Sequence, residues 1–296
     1  MGRNYKKSYK DTTEINTKPL VSIIIPTYNE EKNIDTLLSS IIRQQYKEIE
    51  IIVVDQSSTD KTAEIAKQYG AIVINLPKPK FYSPPGNNRN IGTKKASGSI
   101  LLHLDADMEL PKSNFIDNFI KLFDKEHRAV IIHEVDIAEG FWNKCKALER
   151  SLYWNTEMEA ARGVSMELFE QVQGYDRKIS SGEDFHISSK YEEYTKINSS
   201  KQVFLHHRTG YTSLKSLLKK KFNYGKTAKL FLSDTKNGQK KNIAIISLRI
   251  YLRNWKLLFT SPIYYVCIFL LRFFELMAVN LGMVYQETLL KITSDR

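Results

Sequence analysis

Cysteine is almost missing from this chain of 296 residues: Cys145 and Cys267 stand far apart, and neither lies in a C-x-x-C pair. That usage suggests neither a disulfide framework nor a zinc site, and it fits a reducing, cytosolic setting. No repeat at solenoid or propeller spacing is visible. The opening MGRNYKKSYKDTTEINTK has no apolar stretch, so it is not read as a signal peptide but as a polar lead-in over 1–18. There is also no uncharged run of the roughly 18–20 residues that a bilayer crossing needs. With 42% hydrophobic and 26% charged residues the chain is globular rather than disordered, and long enough for one large α/β domain with an appendage.

Acidic residues are scarce in one region. The formal net charge is +11, yet residues 1–200 carry −2 and residues 201–296 carry +13. A basic excess confined to the C-terminal third implies a local anionic partner: phospholipid, lipid phosphate, pyrophosphate or nucleic acid. Between 213 and 232, Leu214, Leu217, Leu218, Phe222 and Phe231 form an apolar helical stripe surrounded by lysines, a basic amphipathic helix. A second helical stretch is expected over 242–259. Residues 257–271 and 276–286 are uncharged, with Arg272 and Glu275 between them. Read as one segment, Pro262–Gln286 spans a bilayer only if Arg272 and Glu275 pair or face a partner helix. An interfacial helix and a buried helical hairpin are the alternatives.

Upstream, short β-branched runs alternate with helical patterns. Strands are expected at 20–26, 49–54, 71–75, 100–104, 129–134 and 202–206, and helices beginning near 34 and covering 61–69, 88–96, 113–125 and 183–193. This is the order of parallel βαβ units in a doubly wound sheet, which binds ligands at the carboxyl ends of its strands. Asp55 and residues 105–107 fall at such ends.

Four constellations carry chemistry. HLDAD places Asp105 and Asp107 one residue apart just past a buried strand, where they can hold a divalent ion bridging a diphosphate. Asp55 in VVDQSSTD can accept hydrogen bonds from a base N–H, although helix capping also accounts for the residues after it. GEDFH offers Glu183 and Asp184 as an acidic pair at a helix start, either compensating the helix dipole or supplying a general base. In His206-His207-Arg208, a histidine can ligate metal and the arginine can bind phosphate.

These segments resemble glycosyltransferase family 2, nucleotide-diphospho-sugar transferases of the GT-A fold. The likeness is carried by VSIIIPTYNEEKNI (21–34), VVDQSSTDKT (53–62), RNIGTKKASGSILLHLDAD (89–107) and ARGVSMELFEQVQGYD with SSGEDFHIS (161–189), in that order. It implies a Rossmann-like, mostly parallel α/β sheet over 19–212, followed by basic and apolar helices over 213–296 that associate with a membrane. It further implies that Pro26, Tyr28 and Asp55 line the nucleotide base pocket with Glu30 nearby, and that Arg89 approaches the base or phosphates. Asp107 would ligate Mg²⁺ or Mn²⁺ directly, with Asp105 nearer the ribose and donor sugar. His206 or His207 would complete the metal site. Asp184, supported by Glu183, would be the base of an inverting transfer. The implied substrates are a nucleotide-diphosphate sugar and a lipid-linked or glycolipid acceptor, at the cytoplasmic side of the cell membrane.

Departures are local. The usual V-D-D-G-S-x-D reads Val54-Asp55-Gln56-Ser57-Ser58-Thr59-Asp60, and no Q-x-x-R-W follows the acidic pair. The second departure points to transfer of one sugar rather than processive synthesis. A nucleotidyltransferase is disfavoured by acids in TYNEE, where a phosphate-binding loop would be basic. A nucleic-acid-binding protein is disfavoured because no recognition motif accompanies the basic tail. Intact D-x-D and GED motifs argue against a catalytically dead scaffold.

Overall fold

Residue Ile24 of the first apolar run faces the opposite side of the sheet from Ile23 and Ile25, and all three are fully buried. A strand covered on both faces needs such a continuous apolar run rather than an alternating one. The computed structural model describes residues 18–78, 84–154, 156, 159–177, 179, 182–210, 213–234 and 249–294. Most of the expected lead-in, the middle of the 77–87 loop and the start of the 242–259 stretch lie outside them.

Strands β1 (Val21–Thr27), β2 (Ile49–Asp55), β3 (Ile72–Asn75) and β4 (Ile100–His103) are parallel neighbours. The sheet continues through β5 (Met108–Glu109), β6 (Ala129–Ala138), β7 (Gly163–Ser165) and β8 (Ile197–Thr209), in the order β3-β2-β1-β4-β7-β6-β8-β5. β7 runs antiparallel between β4 and β6, β8 lies parallel to β6, and β5 is antiparallel on β8. Helices α1 (Ile34–Ile42) and α4 (Phe115–Ile120) cover one face through Leu37, Leu38, Ile41, Phe115 and Phe119. The other face packs on α6 (Met166–Gln171) and α7 (Glu183–Glu192) through Leu168, Phe169 and Ile187. The mostly parallel α/β sheet flanked by helices is the architecture expected from the sequence.

Helices α2 (Thr62–Gln68) and α3 (Pro85–Thr93) complete the parallel half. A Cβ on Gly92 would lie 2.5 Å from Ile24 Cγ2, so glycine there lets α3 sit directly on β1. This close seat delivers Arg89, one turn earlier, beneath the carboxyl edge of the sheet.

Beyond β8 come α8 (Leu214–Asp234), α9 (Leu257–Thr260) and α10 (Pro262–Ser294). α8 and α10 cross at Gly225 and Gly282. A Cβ on Gly225 would meet the Val279 carbonyl oxygen at 2.1 Å, and one on Gly282 would meet that of Phe222 at 2.1 Å. α10 also packs on α5 (Phe141–Leu152), where Glu149 accepts from Arg272 and Glu275 accepts from Lys146 at 2.9 Å. Here an expectation is corrected: Cys145 of α5 and Cys267 of α10 are paired as a disulfide, their Cα atoms 6.2 Å apart. A separation of 122 residues leaves no local pattern from which that pairing could be read.

Candidate active site

Strand β4 ends at His103 and the chain turns at once, the Met108 N–H donating to the Asp105 carbonyl at 3.1 Å. The turn leaves both acids of the D-x-D at the carboxyl edge of the sheet. Helix α7 starts after Gly182, which takes the left-handed φ of 78°, and puts Glu183 and Asp184 in its first turn. Arg89 joins the two segments. Its Nη2 donates to Asp105 Oδ1 at 2.6 Å and its Nη1 to Asp184 Oδ1 at 3.2 Å, with Glu183 Oε1 3.6 Å from Nη1. The carboxyl groups of Asp105 and Asp184 therefore face one cleft across a single buried guanidinium. The Tyr175 hydroxyl also reaches Asp184 Oδ1 (3.4 Å), and Asp184 Oδ2 has no partner among the described residues. Burial and the adjacent Asp184 charge raise the Glu183 carboxyl above its ordinary range.

A second buried arginine extends the network. Arg162 donates through Nη2 to Asp105 Oδ2 (3.0 Å) and through Nε to Glu134 Oε1 (2.7 Å). Burial alone would raise Asp105, but the Arg162 and Arg89 guanidiniums hold its carboxyl well below the usual carboxylate range. Glu134 is likewise depressed against burial by Arg162 and Arg150. From Glu134 the network reaches His207, whose Nδ1 lies 3.2 Å from Glu134 Oε2 and 3.4 Å from Asp136 Oδ1. His207 Nε2 lies 3.1 Å from Asp107 Oδ2. Burial opposes charging of this ring, but its hydrogen bond with Asp107 and the neighbouring Asp136 and Glu134 carboxylates push it up to about 11.

At the carboxyl ends of β1 and β2, Asp55 ends β2 and is 2% exposed. It accepts from Thr27 Oγ1 (3.1 Å), Ser58 N–H (2.9 Å) and Ser58 Oγ (2.5 Å), so it organises the turn that follows β2. Pro26 precedes the end of β1, Tyr28 follows it with 56% exposure, and the Glu30 N–H donates to Thr62 Oγ1 at 2.8 Å. Burial raises the Glu30 carboxyl; its Asn33 hydrogen bond lowers it, and Asp107 and Asp105 raise it further, which places Glu30 in their field.

Of the two histidines proposed as ligands, His207 faces Asp107. His206 occupies the next strand position, so its side chain points to the other face, where it packs on Phe204 with ring centroids 5.7 Å apart. Arg208, a candidate phosphate binder, is held by Glu109 Oε2 at 2.5 and 3.0 Å. Arg89 is enclosed beneath the carboxylates rather than presented to a nucleotide. Arg162, Glu134 and Asp136 were not singled out by sequence reading. Arg162 lies inside the ARGVSMELFEQVQGYD segment, which was the one available signal.

Asp107 Oδ2 and His207 Nε2 stand 3.1 Å apart, close to the spacing of about 3 Å between two ligands at right angles around an ion with bonds of roughly 2.1 Å; an ion there would replace the proton between them. Among the described residues no group of three or more His, Cys, Asp or Glu side chains forms a complete cage. One carboxylate and one imidazole leave coordination positions for phosphate oxygens and water, as magnesium sites commonly do.

A cavity of about 620 Å³ opens from these residues. Asp105, Glu183, Asp184 and His207 line it together with Lys220, Lys221 and Tyr224 of α8 and Arg272, Glu275 and Val279 of α10.

Known proteins are similar to this chain in sequence and in fold. The family model described as glycosyl transferase family 2 matches residues 22–180. The chain is 34% identical over 131 residues to the 4,4'-diaponeurosporenoate glycosyltransferase of Staphylococcus haemolyticus, covering 42% of this chain and 34% of that protein. It is 35% identical over 124 residues to the poly(ribitol-phosphate) beta-N-acetylglucosaminyltransferase TarS of Staphylococcus aureus, covering 40% and 21%. The chain thus matches about a third or less of the length of these relatives. Among solved structures, the mannosyltransferase PcManGT of Pyrobaculum calidifontis, in complex with GDP-Man and Mn2+, superposes with a TM-score of 0.63 at 18% identity. The superposition covers 95% of this chain and 91% of that one, and it supports the fold.

Proposed function

The chain belongs to glycosyl transferase family 2, and from that premise we propose that it transfers a single sugar, with inversion, from a nucleotide-diphosphate sugar to a hydroxyl or phosphate group of a lipid-linked or glycolipid acceptor. The observation that carries this reading is Arg89, which bonds Asp105 and Asp184 at once and so sets the donor-side acid and the base in one cleft.

Asp184 is the general base. Arg89 and Tyr175 occupy Oδ1 and leave Oδ2 to take the acceptor's proton. As that proton moves, the acceptor oxygen bonds the anomeric carbon from the face opposite the leaving group. The bond from the anomeric carbon to the diphosphate oxygen breaks, and the nucleoside diphosphate departs with its electron pair. Asp107 and His207, with Asp105 beside them, would hold Mg²⁺ or Mn²⁺, which would neutralise the charge building on that diphosphate. Pro26, Tyr28, Glu30 and Asp55 flank the base pocket at the ends of β1 and β2. Arg89 acts from beneath, bonding both carboxylates.

The membrane part of the reading rests on α10. Pro262–Gln286 is apolar and long enough to cross a bilayer, yet it is bound along one side to α5 and α8. Its other side exposes Ile263, Leu270, Phe273, Leu276, Leu281 and Val284. A helix with one face on protein and the other bare lies in the plane of the interface.

The test is nucleotide release from a panel of nucleotide sugars with membrane lipid extract. One donor should be turned over, excess EDTA should stop turnover, and Mn²⁺ or Mg²⁺ should restore it. Asp184→Asn and Asp107→Asn should each reduce transfer by at least about 100-fold while leaving the circular dichroism unchanged. Near wild-type transfer by both variants would remove the mechanism.

A further inference from the structure

The basic helix α8 does more than supply positive charge near a membrane. Tyr224 and Lys220 line the same cavity as Asp184, although they come from the far side of the fold. The Tyr224 hydroxyl is pushed up to about 12, first by burial and then by the charges of Glu183 and Asp105, so it lies within the field of the acids that begin α7 and end β4. Lys220 is exposed at the cavity mouth. Its ammonium lies 5.9 Å from the Tyr224 ring and has no ion-pair partner among the described residues. The deeper cations are committed differently: Lys221 stands 3.7 Å and Lys146 2.9 Å from Glu275, and Arg272 bonds both Glu149 and Glu275. Leu217 and Val279 add apolar wall to the same cavity, and the outer side of α10 is bare. Cation, apolar wall and catalytic carboxylate thus line one cavity on a helix pair whose outer face is exposed.

We infer that the α8–α10 side of this cavity is the acceptor subsite, and that it takes an anionic amphiphile whose charged group meets Lys220 at the mouth and whose reacting oxygen passes Tyr224 to reach Asp184. The anion could in principle belong to an amphiphile or to a free phosphate; the apolar wall and the bare α10 face select the amphiphile. The inference rests on Asp184 being the base, but its test does not require turnover.

The full-length chain is titrated by calorimetry with dodecyl phosphate below its micelle concentration, with dodecyl maltoside and inorganic phosphate as controls. Dodecyl phosphate should bind more tightly than either control. Lys220→Glu should weaken that binding about tenfold, the worth of one charge-assisted contact. Lys219→Glu makes the same charge change on a neighbouring lysine that does not line the cavity, and it should alter binding less than about twofold. Lys220→Gln, a milder change at this exposed position, should fall between. Equal weakening by the Lys219 and Lys220 variants would show general charge attraction to the helix and overturn the subsite. Binding of inorganic phosphate or dodecyl maltoside as tight as that of dodecyl phosphate would overturn the anionic amphiphile. Asp184→Asn should bind the probe like wild type. Loss of transfer in that variant with binding intact upholds the catalytic reading whatever the Lys220 result, whereas retained transfer with Lys220-dependent binding sinks the catalytic reading alone.

Discussion

Asp184, Arg89, Asp105, Arg162, Glu134, His207 and Asp107 form one chain of contacts in which acids and bases alternate. Inside a low-dielectric cleft such a chain holds only while every charge has its neighbour. Arg162→Met keeps the volume but leaves Asp105 and Glu134 short of a cation, and it should destabilise the protein by about 3–5 kcal/mol at neutral pH. The deficit depends on pH in a known direction. Burial alone would raise both carboxyls, yet the arginines hold them below the ordinary value of about 4. A depressed carboxyl contributes stability that is complete above its unfolded value and is lost as pH falls towards the folded one. Wild type should therefore lose urea resistance below about pH 4, and the gap to Arg162→Met should narrow over the same range. A gap that is constant from pH 7 to 3 would mean that Arg162 does not act through these acids. Asp105, Asp107 and Asp184 were legible because D-x-D and GED are short contiguous motifs, whereas Glu134, inside β6, was not. Arg162 was not, because a buried arginine is recognised by its partners, and these come from the end of β4 and the middle of β6.

At the scale of elements, the crossing of α8 and α10 has a sharp requirement. Alanine is favoured over glycine inside a helix by about 1 kcal/mol, so Gly282→Ala in an isolated α10 would stabilise. In the packed pair the new Cβ would stand 2.1 Å from the Phe222 carbonyl oxygen, a backbone atom that cannot swing aside. Overpacking of this kind costs about 1–3 kcal/mol, so the melting temperature should fall rather than rise, and a rise would show that the helices do not touch there. The amphipathic pattern of α8 was readable from its leucines and lysines, but the glycine that marks the crossing only acquires meaning beside Val279. The same division runs through the sheet. β1, β2 and β4 are largely apolar runs buried on both faces and could be placed from sequence within about two residues. β8 extends over Ile197–Thr209, far beyond the expected 202–206, because Ser199, Ser200, Lys201 and Gln202 give its first half no apolar signal. β5 and β7 are two and three residues long, too short to show a period at all. α3 begins at Pro85 rather than 88: the Pro-Gly-Asn run reads as loop, yet proline suits the first turn of a helix.

For the molecule as a whole, the proposed membrane contact turns on the placement of α10. Its 33 residues extend over about 50 Å, more than enough for a crossing. Composition alone left a crossing, an interfacial helix and a buried hairpin open, since periodicity does not say what lies beside a helix. The packing supports the in-plane helix proposed above. Arg272 and Glu275, near the middle of α10, are tied to Glu149 and Lys146 of α5, and Cys267 is joined to Cys145 on the same helix. A crossing α10 would draw these α5 charges to the bilayer centre, where a charged side chain costs at least about 2.5–3.5 kcal/mol, or else would break the contacts that wall the cavity. An in-plane helix keeps them and turns Ile263, Phe273 and Val284 to the acyl chains. Spin labels at these three exposed positions, in the full-length chain bound to vesicles of phosphatidylcholine and phosphatidylglycerol, should therefore report similar shallow depths. In a crossing, position 273 would lie about 15 Å deeper than the other two, half the hydrocarbon thickness. Finding that profile would also remove the acceptor route proposed along α8, because the wall that forms it could not then be docked.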